Sequence, residues 1–348
     1  MAKRIRVVEW DAGWPGVFEA EAARLRAACG PGLVAIEHVG STSVPGLPAK
    51  PVIDMVVLVA DYEAGEAFVE PIRSLGYVHK GVNGIPGRRY FDLANPTPGE
   101  LDLFHIHMYP VGHEDAKRVV AFRDYLRANP AAVERYAARK RELAAKYPED
   151  ILLYTGGKSV VIRGIYRAME GRGAEPLVVT EYDPAWAAEF EAAAARIREG
   201  VGGGLLDVEH IGSTSVPGLA AKPILDIMPV VGDFDEARAL VVKFEELGYW
   251  YFGENGIPRR HYFAREDESG RVVEHVHVLE DSSLEAKKHR MFRDYLRANA
   301  SARERYAALK VRLAQEVAGD RLAYVDGKTE LVVALLREAG WEGEVPVA

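Results

Sequence analysis

Apolar residues recur near the N-terminus at helical spacing: Trp14, Phe18, Ala22, Leu25 and Cys29 fall near one face, which predicts a helix over about 12–29. Residues 33–39 then read as a short strand running into Gly40-Ser41, and residues 51–59 as a central strand, nearly all apolar and rich in β-branched side chains, with Asp54 set into it. A helix is predicted over 62–75, stopped at Gly76. Two strands, 77–80 and 88–92, flank the turn pair Asn83-Gly84, and a further strand covers 101–109. Three helices follow over 114–128, 130–146 and 156–168, with Asn129-Pro130 dividing the first two and Pro148 ending the second. Strands followed by a helical block predict an α/β (α+β) unit, a small mixed sheet with packed helices.

That unit occurs twice. Glu37-His38-Val39-Gly40-Ser41-Thr42-Ser43-Val44-Pro45-Gly46-Leu47 returns 172 residues later as Glu209 to Leu219, and Asp11, Trp14 and Asn83-Gly84-Ile85-Pro86 return at the same offset. Beyond the turn-rich stretch 95–99 the offset becomes 170, carrying His105 and His107 to His275 and His277 and Gly157-Lys158 to Gly327-Lys328. A period this long means duplicated domains, placed at 1–170 and 176–340, with a linker over 170–176.

The composition, 48% hydrophobic and 28% charged over 348 residues, is that of globular protein. A net charge of −8 argues against non-specific nucleic-acid or anionic-membrane binding but leaves room for a local basic pocket. The single cysteine, Cys29, forms no internal disulfide and suits a reducing compartment. No stretch approaches the ~20 apolar residues of a membrane helix, so a cytoplasmic protein is expected.

The candidate chemistry repeats with the domain. Gly40, Ser41, Thr42 and Ser43, with Gly212, Ser213, Thr214 and Ser215, offer hydroxyls and amides either to phosphate oxygens or to a polar turn. Asp54 and Asp226 need a cation, several hydrogen bonds or a cavity, because an unpaired buried carboxylate is costly; Lys50 and Lys222 stand four residues upstream. His105 and His107, like His275 and His277, have strand spacing and leave one face of the sheet, as a metal pair or a phosphate-contacting pair. Arg88 and Arg260, just past the Asn-Gly turn, read as anion contacts or as solvated edge charges. Lys158 and Lys328 open the last helix, where an anion would relieve their repulsion by the helix dipole. Gly157-Lys158-Ser159 does not complete a P-loop, since the first glycine would fall on Leu152 or Leu322.

With Asp11-x-x-Trp14, the Glu37–Leu47 segment, Lys50-Pro51-Val52-Ile53-Asp54, His105-x-His107, Phe122-Arg123-Asp124-Tyr125-Leu126 and Gly157-Lys158 quoted together, each copy resembles the GrpB family over nearly its whole length. Members of that family are sometimes fused to dephospho-CoA kinase and are placed in the nucleotidyltransferase superfamily. The resemblance implies a nucleotidyltransferase-like fold in which a Gly-Ser loop precedes a strand reading acid-apolar-acid. Gly40-Ser41 and Asp54 match; the second acid is replaced by Val56 and Met228. It further implies a nucleotide or small phosphorylated ligand as partner. Asp54, His105 and His107 would hold a divalent ion (Mg2+, Mn2+ or Zn2+), and Ser41, Ser43, Lys50, Arg88 and Lys158 would contact the anion. Three expectations stand side by side: an enzyme of metal-dependent transfer, a binding or accessory module with a degenerate transferase site, and a purely structural role for the polar set. Both copies are expected to behave alike.

Overall fold

The computed structural model describes residues 4–83, 85–173, 177–317 and 321–343. The chain divides into two compact units, residues 1–172 and 173–348. Part of the predicted linker, 174–176, lies outside the described residues, as does Gly84 of the predicted turn.

In unit 1, helix α1 (Trp14–Cys29) leads to β1 (Ala35–Val39), a 3-10 turn over Ser41–Ser43, and β2 (Ile53–Val59). Then come a short α2 (Val69–Ser74), β3 (Val78–His79), β4 (Arg89–Leu93) and β5 (Phe104–Pro110). The helical block is α3 (Glu114–Ala128), α4 (Pro130–Lys146), α5 (Ile151–Gly157) and α6 (Ser159–Met169). The strand order is β1-β2-β5-β4-β3, with β2 and β5 parallel and the other neighbours antiparallel. Unit 2 repeats this with α7 (Ala185–Val201), β6 (Leu205–Ile211), β7 (Leu225–Val231), α8 (Val241–Glu246), β8 (Trp250–Tyr251), β9 (Arg260–Glu266), β10 (Val272–Glu280), α9 (Leu284–Ala298), α10 (Ala300–Glu316) and α11 (Arg321–Glu338); its sheet runs β6-β7-β10-β9-β8. Among the described residues no helix is long and apolar enough to cross a membrane.

The alternation of a strand explains how one carboxylate fits into an apolar run. Ile53, Met55, Val57 and Val59 pack with Trp14, Phe18, Ala22 and Leu25 of α1 and Ile72 of α2. Asp54 and Val56 face the other way, where Val56 packs with Val39, Tyr109 and Ala116 of α3. The helical block therefore covers the face of the sheet that carries Asp54. Its core of Leu126, Ala132, Tyr136, Ala137 and Ile165 closes over Val44 and Leu47, so the Val-Pro-Gly-Leu segment pins the Gly-Ser loop to the helices. Burying Leu47 completely contributes about 1.5–3 kcal/mol.

Two predicted helices differ. The segment 62–75 forms a 3-10 turn over Ala64–Phe68 before α2, and unit 2 repeats the break over Glu236–Leu240. Arg89 donates to the Tyr62 carbonyl, and His261, at the matching position, to the Phe234 carbonyl (3.2 Å); either bond takes the head of the segment out of helical pairing. The predicted last helix of unit 1, 156–168, is divided between α5, which begins at Ile151, and α6, which begins at Ser159. Asp150 caps α5 by accepting from the Leu153 amide at 3.0 Å, and Gly157 lets α5 lie against α4, since a β-carbon there would be 2.5 Å from Leu143. Lys158 therefore sits at the α5–α6 junction with its amide bonded to the Thr155 carbonyl, and Lys328 lies inside the continuous α11. Lys158 caps the start of α6 while also ending α5, whereas Lys328 opens no helix, so the helix-dipole argument for an anion fails at Lys328.

Candidate functional site

The site is built where β1 hands over to the Gly-Ser loop. Val39 pairs with Asp54, and Gly40 follows at φ 69°, ψ −173°, a region open to glycine alone. A β-carbon at Gly40 would stand 2.4 Å from Oδ2 of Asp54, and one at Gly212 would stand 2.2 Å from Oδ2 of Asp226. The glycine makes room for the carboxylate.

Of the three loop hydroxyls, two turn inward. Thr42, 1% exposed, accepts from Nε2 of His38 at 3.0 Å and donates to the Val52 carbonyl at 3.3 Å. His38 is stacked on Phe18, and burial pushes its pKa down to about 4. Ser43 donates to the Gly40 carbonyl at 2.6 Å. Thr214 and Ser215 repeat these bonds with His210 and Gly212. Thr42, Ser43, Thr214 and Ser215 therefore shape the loop rather than present hydroxyls to a ligand. Arg127 clamps the outside of the loop with two bonds to the Ser43 carbonyl, 3.0 and 2.8 Å, and Arg297 does the same at Ser215. Ser41 is left beside Tyr136, whose phenol it meets, while Ser213 accepts from Nζ of Lys310 at 2.9 Å.

The sheet register sets Asp54 opposite His105 and Val56 opposite His107. His105 donates from Nδ1 to Asp54 at 3.0 Å, and its Nε2 lies 3.4 Å from Asp102. Burial alone would lower the His105 pKa, but the bonds and charges of Asp54 and Asp102 outweigh it, so its pKa is raised and the protonated imidazole is favoured. Burial likewise opposes ionisation of Asp54, yet His105 and His107 hold its carboxyl well below the usual carboxylate range. His107 is pushed the other way by burial, with Arg88 and His105 adding to the effect, and stays neutral. In unit 2 burial pushes His277 down to about 3.

Arg88 and Arg260 are not solvated edge charges, and Arg260 lines the unit 2 cleft. Each is buried. Arg88 donates to the carbonyls of Val82 (3.2 Å) and Asn83 (2.5 Å) and to Nδ1 of His107 (3.2 Å); Arg260 makes the matching bonds to Glu254, Asn255 and His277. A guanidinium only donates, so Nδ1 of His107 accepts and its proton sits on Nε2, directed towards Asp54 Oδ1 3.8 Å away. The Nε2 of His277, buried and 3.5 Å from Asp226, makes no hydrogen bond, which leaves a donor for a ligand oxygen.

This tautomer bears on the expected metal set. An imidazole that binds an ion through Nε2 presents its lone pair there and its proton at Nδ1, where Arg88 already points a donor. Among the described residues no group of three or more His, Cys, Asp or Glu is placed to hold a metal ion. As arranged, Asp54, His105 and His107, and Asp226, His275 and His277, do not fit a three-ligand site.

The remaining wall is basic and aromatic. Lys158 and Lys50 lie 4.9 and 5.6 Å from the ring of Tyr154; Lys328 and Lys222 lie 4.5 and 5.1 Å from that of Tyr324. Burial, with the charge of Lys50 nearby, lowers Lys158 to about 7; burial and Lys222 lower Lys328 to about 8. A third lysine enters from the helices. Lys140 and Lys310, each 2% exposed, donate to the carbonyls of Pro48 and Ala220, and burial lowers Lys310 to about 7. In unit 2 these groups enclose a cleft of about 510 Å³ that holds Gly212, Ser213, Asp226, His275 and His277 together with Lys222, Arg260, Lys288, Arg293, Lys310 and Lys328. Sequence reasoning missed Lys140, Lys310, Tyr136, Tyr306, Tyr154 and Tyr324. The available signal was Tyr-x-x-x-Lys, which occurs at 136/140 and 154/158 and again at 306/310 and 324/328.

The comparisons with known proteins agree with the duplication. One segment of the chain is similar to the UPF0157 protein YqkA of Bacillus subtilis, 40% identical over 161 residues, 46% of this chain and 46% of that protein. A dephospho-CoA kinase of Mycolicibacterium paratuberculosis is 30% identical over 186 residues, covering 47% of this chain and 45% of the kinase. The matches therefore span about half the length of these relatives. The crystal structure of the conserved protein GrpB from Enterococcus faecalis aligns at 38% identity and a TM-score of 0.44, over 47% of this chain and 96% of that one. The family profile described as GrpB protein matches residues 4–168 and again 176–338, so this chain belongs to the GrpB family and carries it as two tandem copies.

Proposed function

We propose that each unit binds a phosphorylated small molecule, a nucleotide being the expected class, with its phosphates between the Gly-Ser loop and the lysines of the helical block. The observation that carries this reading is the charge of the unit 2 cleft, which six basic side chains line with one carboxylate, Asp226; Lys288 and Arg293 are paired with Glu285 and Glu209 behind the wall, and Lys222, Arg260, Lys310 and Lys328 supply the excess. Buried ammonium groups crowded enough to be depressed towards neutrality are stabilised by a polyanion that takes the place of water. Ser41 or Ser213 and the Nε2–H of His107 or His277 supply directional donors, and Asp54 or Asp226 holds the neighbouring imidazole in place.

The same geometry favours binding over two-ion nucleotidyl transfer. The positions where a second carboxylate would stand, Val56 and Met228, are apolar and fully buried, and Asp54 is already engaged by His105. The test is a thermal-shift and calorimetric screen of nucleoside triphosphates, with dephospho-CoA included because one relative is a kinase of that compound. A ligand at 100 times its dissociation constant stabilises by about 2.7 kcal/mol. Binding abolished by Lys158→Gln together with Lys328→Gln supports the reading; binding that survives both substitutions refutes it, and turnover of a triphosphate would restore the transferase reading.

A further inference from the structure

The two clefts share the Gly-Ser loop, the aspartate, the histidine pair and the three lysines, but they differ in charge beside the first histidine. In unit 1, Asp102 lies 3.4 Å from Nε2 of His105, whose Nδ1 already meets Asp54, so both ring nitrogens face carboxylates. Asp102 lines a hollow of about 360 Å³ together with Lys50, Tyr90, His105 and Glu149. The matching position in unit 2 is Val272, 6% exposed, and the position matching Glu149 is Gly319. Unit 1 thus sets Asp102 and Glu149 in the hollow with Lys50 and His105, whereas the unit 2 cleft that holds Lys222 and His275 is lined by one carboxylate, Asp226, among the described residues.

A fixed negative charge within ~8 Å of a bound anion, in partly screened protein surroundings, weakens it by about tenfold or more. We infer that the two units are unequal: unit 2 is the strong polyanion site, and Asp102 restricts unit 1 to a phosphorylated ligand of lower negative charge. The inference rests on the proposed phosphate-binding role and adds a division of labour between the copies, with Asp102 as the residue that sets it.

The experiment is titration calorimetry of the full chain with inorganic tripolyphosphate at low salt. Lys222→Gln with Lys328→Gln silences unit 2 and reports unit 1; Lys50→Gln with Lys158→Gln does the reverse. The chain with unit 2 intact should bind about tenfold or more tightly than the chain with unit 1 intact. Adding Asp102→Val to the unit 1 reporter should close most of that gap, and Val272→Asp should weaken the unit 2 reporter. Asp102→Asn, which keeps the side chain's size and polarity, provides the same readout if the valine variant does not fold. Equal affinities, tighter binding at unit 1, or no response to either Asp102 substitution overturns the inference and leaves the phosphate site standing. Absence of binding in the unsubstituted chain overturns both.

Discussion

Gly40 and Asp54 occupy one space: the site for a β-carbon on the first is 2.4 Å from a carboxylate oxygen of the second. The loop and the acid cannot be varied independently. Gly40→Ala has two costs, the positive φ, of order 1–3 kcal/mol, and displacement of the carboxylate from His105. Chemical denaturation should show a loss of at least about 1–3 kcal/mol and of ligand binding. In a double-mutant cycle with Asp54→Ala, the clash with the carboxylate disappears, leaving the backbone cost and the 2.9 Å approach to the β-carbon of residue 54, so the combined loss should be less than the sum. Additive losses would show that the pair is not coupled.

The loop hydroxyls should separate by function. Thr42→Val removes the acceptor for His38 and the donor to Val52, both buried, and should cost about 1–3 kcal/mol of stability with little change in affinity for a ligand that the folded protein binds. Ser41→Ala with Ser213→Ala should weaken nucleotide binding by roughly three- to tenfold, the effect of one hydrogen bond of about 0.5–1.5 kcal/mol, with a stability loss smaller than that of Thr42→Val from the bonds to Tyr136 and Lys310. A large stability loss from the serine pair, or a large affinity loss from the threonine alone, would invert the assignment.

Much of this site was legible in the sequence because it breaks local rules. Asp54 stands out in an apolar strand, and two histidines at strand spacing point at the same face. Repetition of both features makes accident a poor explanation, and the register that pairs Asp54 with His105 follows from β2 and β5 lying side by side. Lys140, Tyr136 and Tyr154 obey local rules and were invisible for that reason. A lysine on a charged, amphipathic helix reads as solvent-facing, and only the folded block shows that Lys140 lies on the covered side with its ammonium on the Pro48 carbonyl. Arg88 was ambiguous because its acceptors, two backbone carbonyls and a histidine nitrogen, carry no sequence signature. The two inward hydroxyls were misjudged because a Gly-Ser-Thr-Ser string does not reveal which side chains the 3-10 turn points into the core.

The tautomer set by Arg88 predicts how metals behave. Zn2+, Mn2+ or Mg2+ added alone should leave the melting temperature unchanged, because Nε2 of His107 carries the proton and Nδ1 is taken. Replacing Arg88 and Arg260 by Met frees Nδ1 to hold the proton, so Zn2+ should then bind detectably. Tight Zn2+ binding by the unsubstituted protein, lost on His107→Ala with His277→Ala, would show that Arg88 yields to an ion.

The buried lysines predict opposite pH trends for the free protein and for binding. Lys310, almost fully buried, has its pKa lowered to about 7, against about 10.4 in an unfolded chain. Between those values the unfolded state holds the extra proton, so the free protein gains stability as pH rises from about 7 towards 10. Below about pH 7 both states are protonated and the burial penalty is complete. A polyanion prefers the charged lysine. Its affinity should therefore fall as pH rises through about 7 and 8, where Lys310 and Lys328 titrate, and binding near neutrality should take up protons. Denaturation across pH 6–10 and calorimetry in buffers of different ionisation enthalpy measure the two trends. Lys310→Met should flatten the first and reduce the proton uptake. Affinity that rises with pH, or binding that releases protons, would mean that the ligand's charge is not read by these lysines.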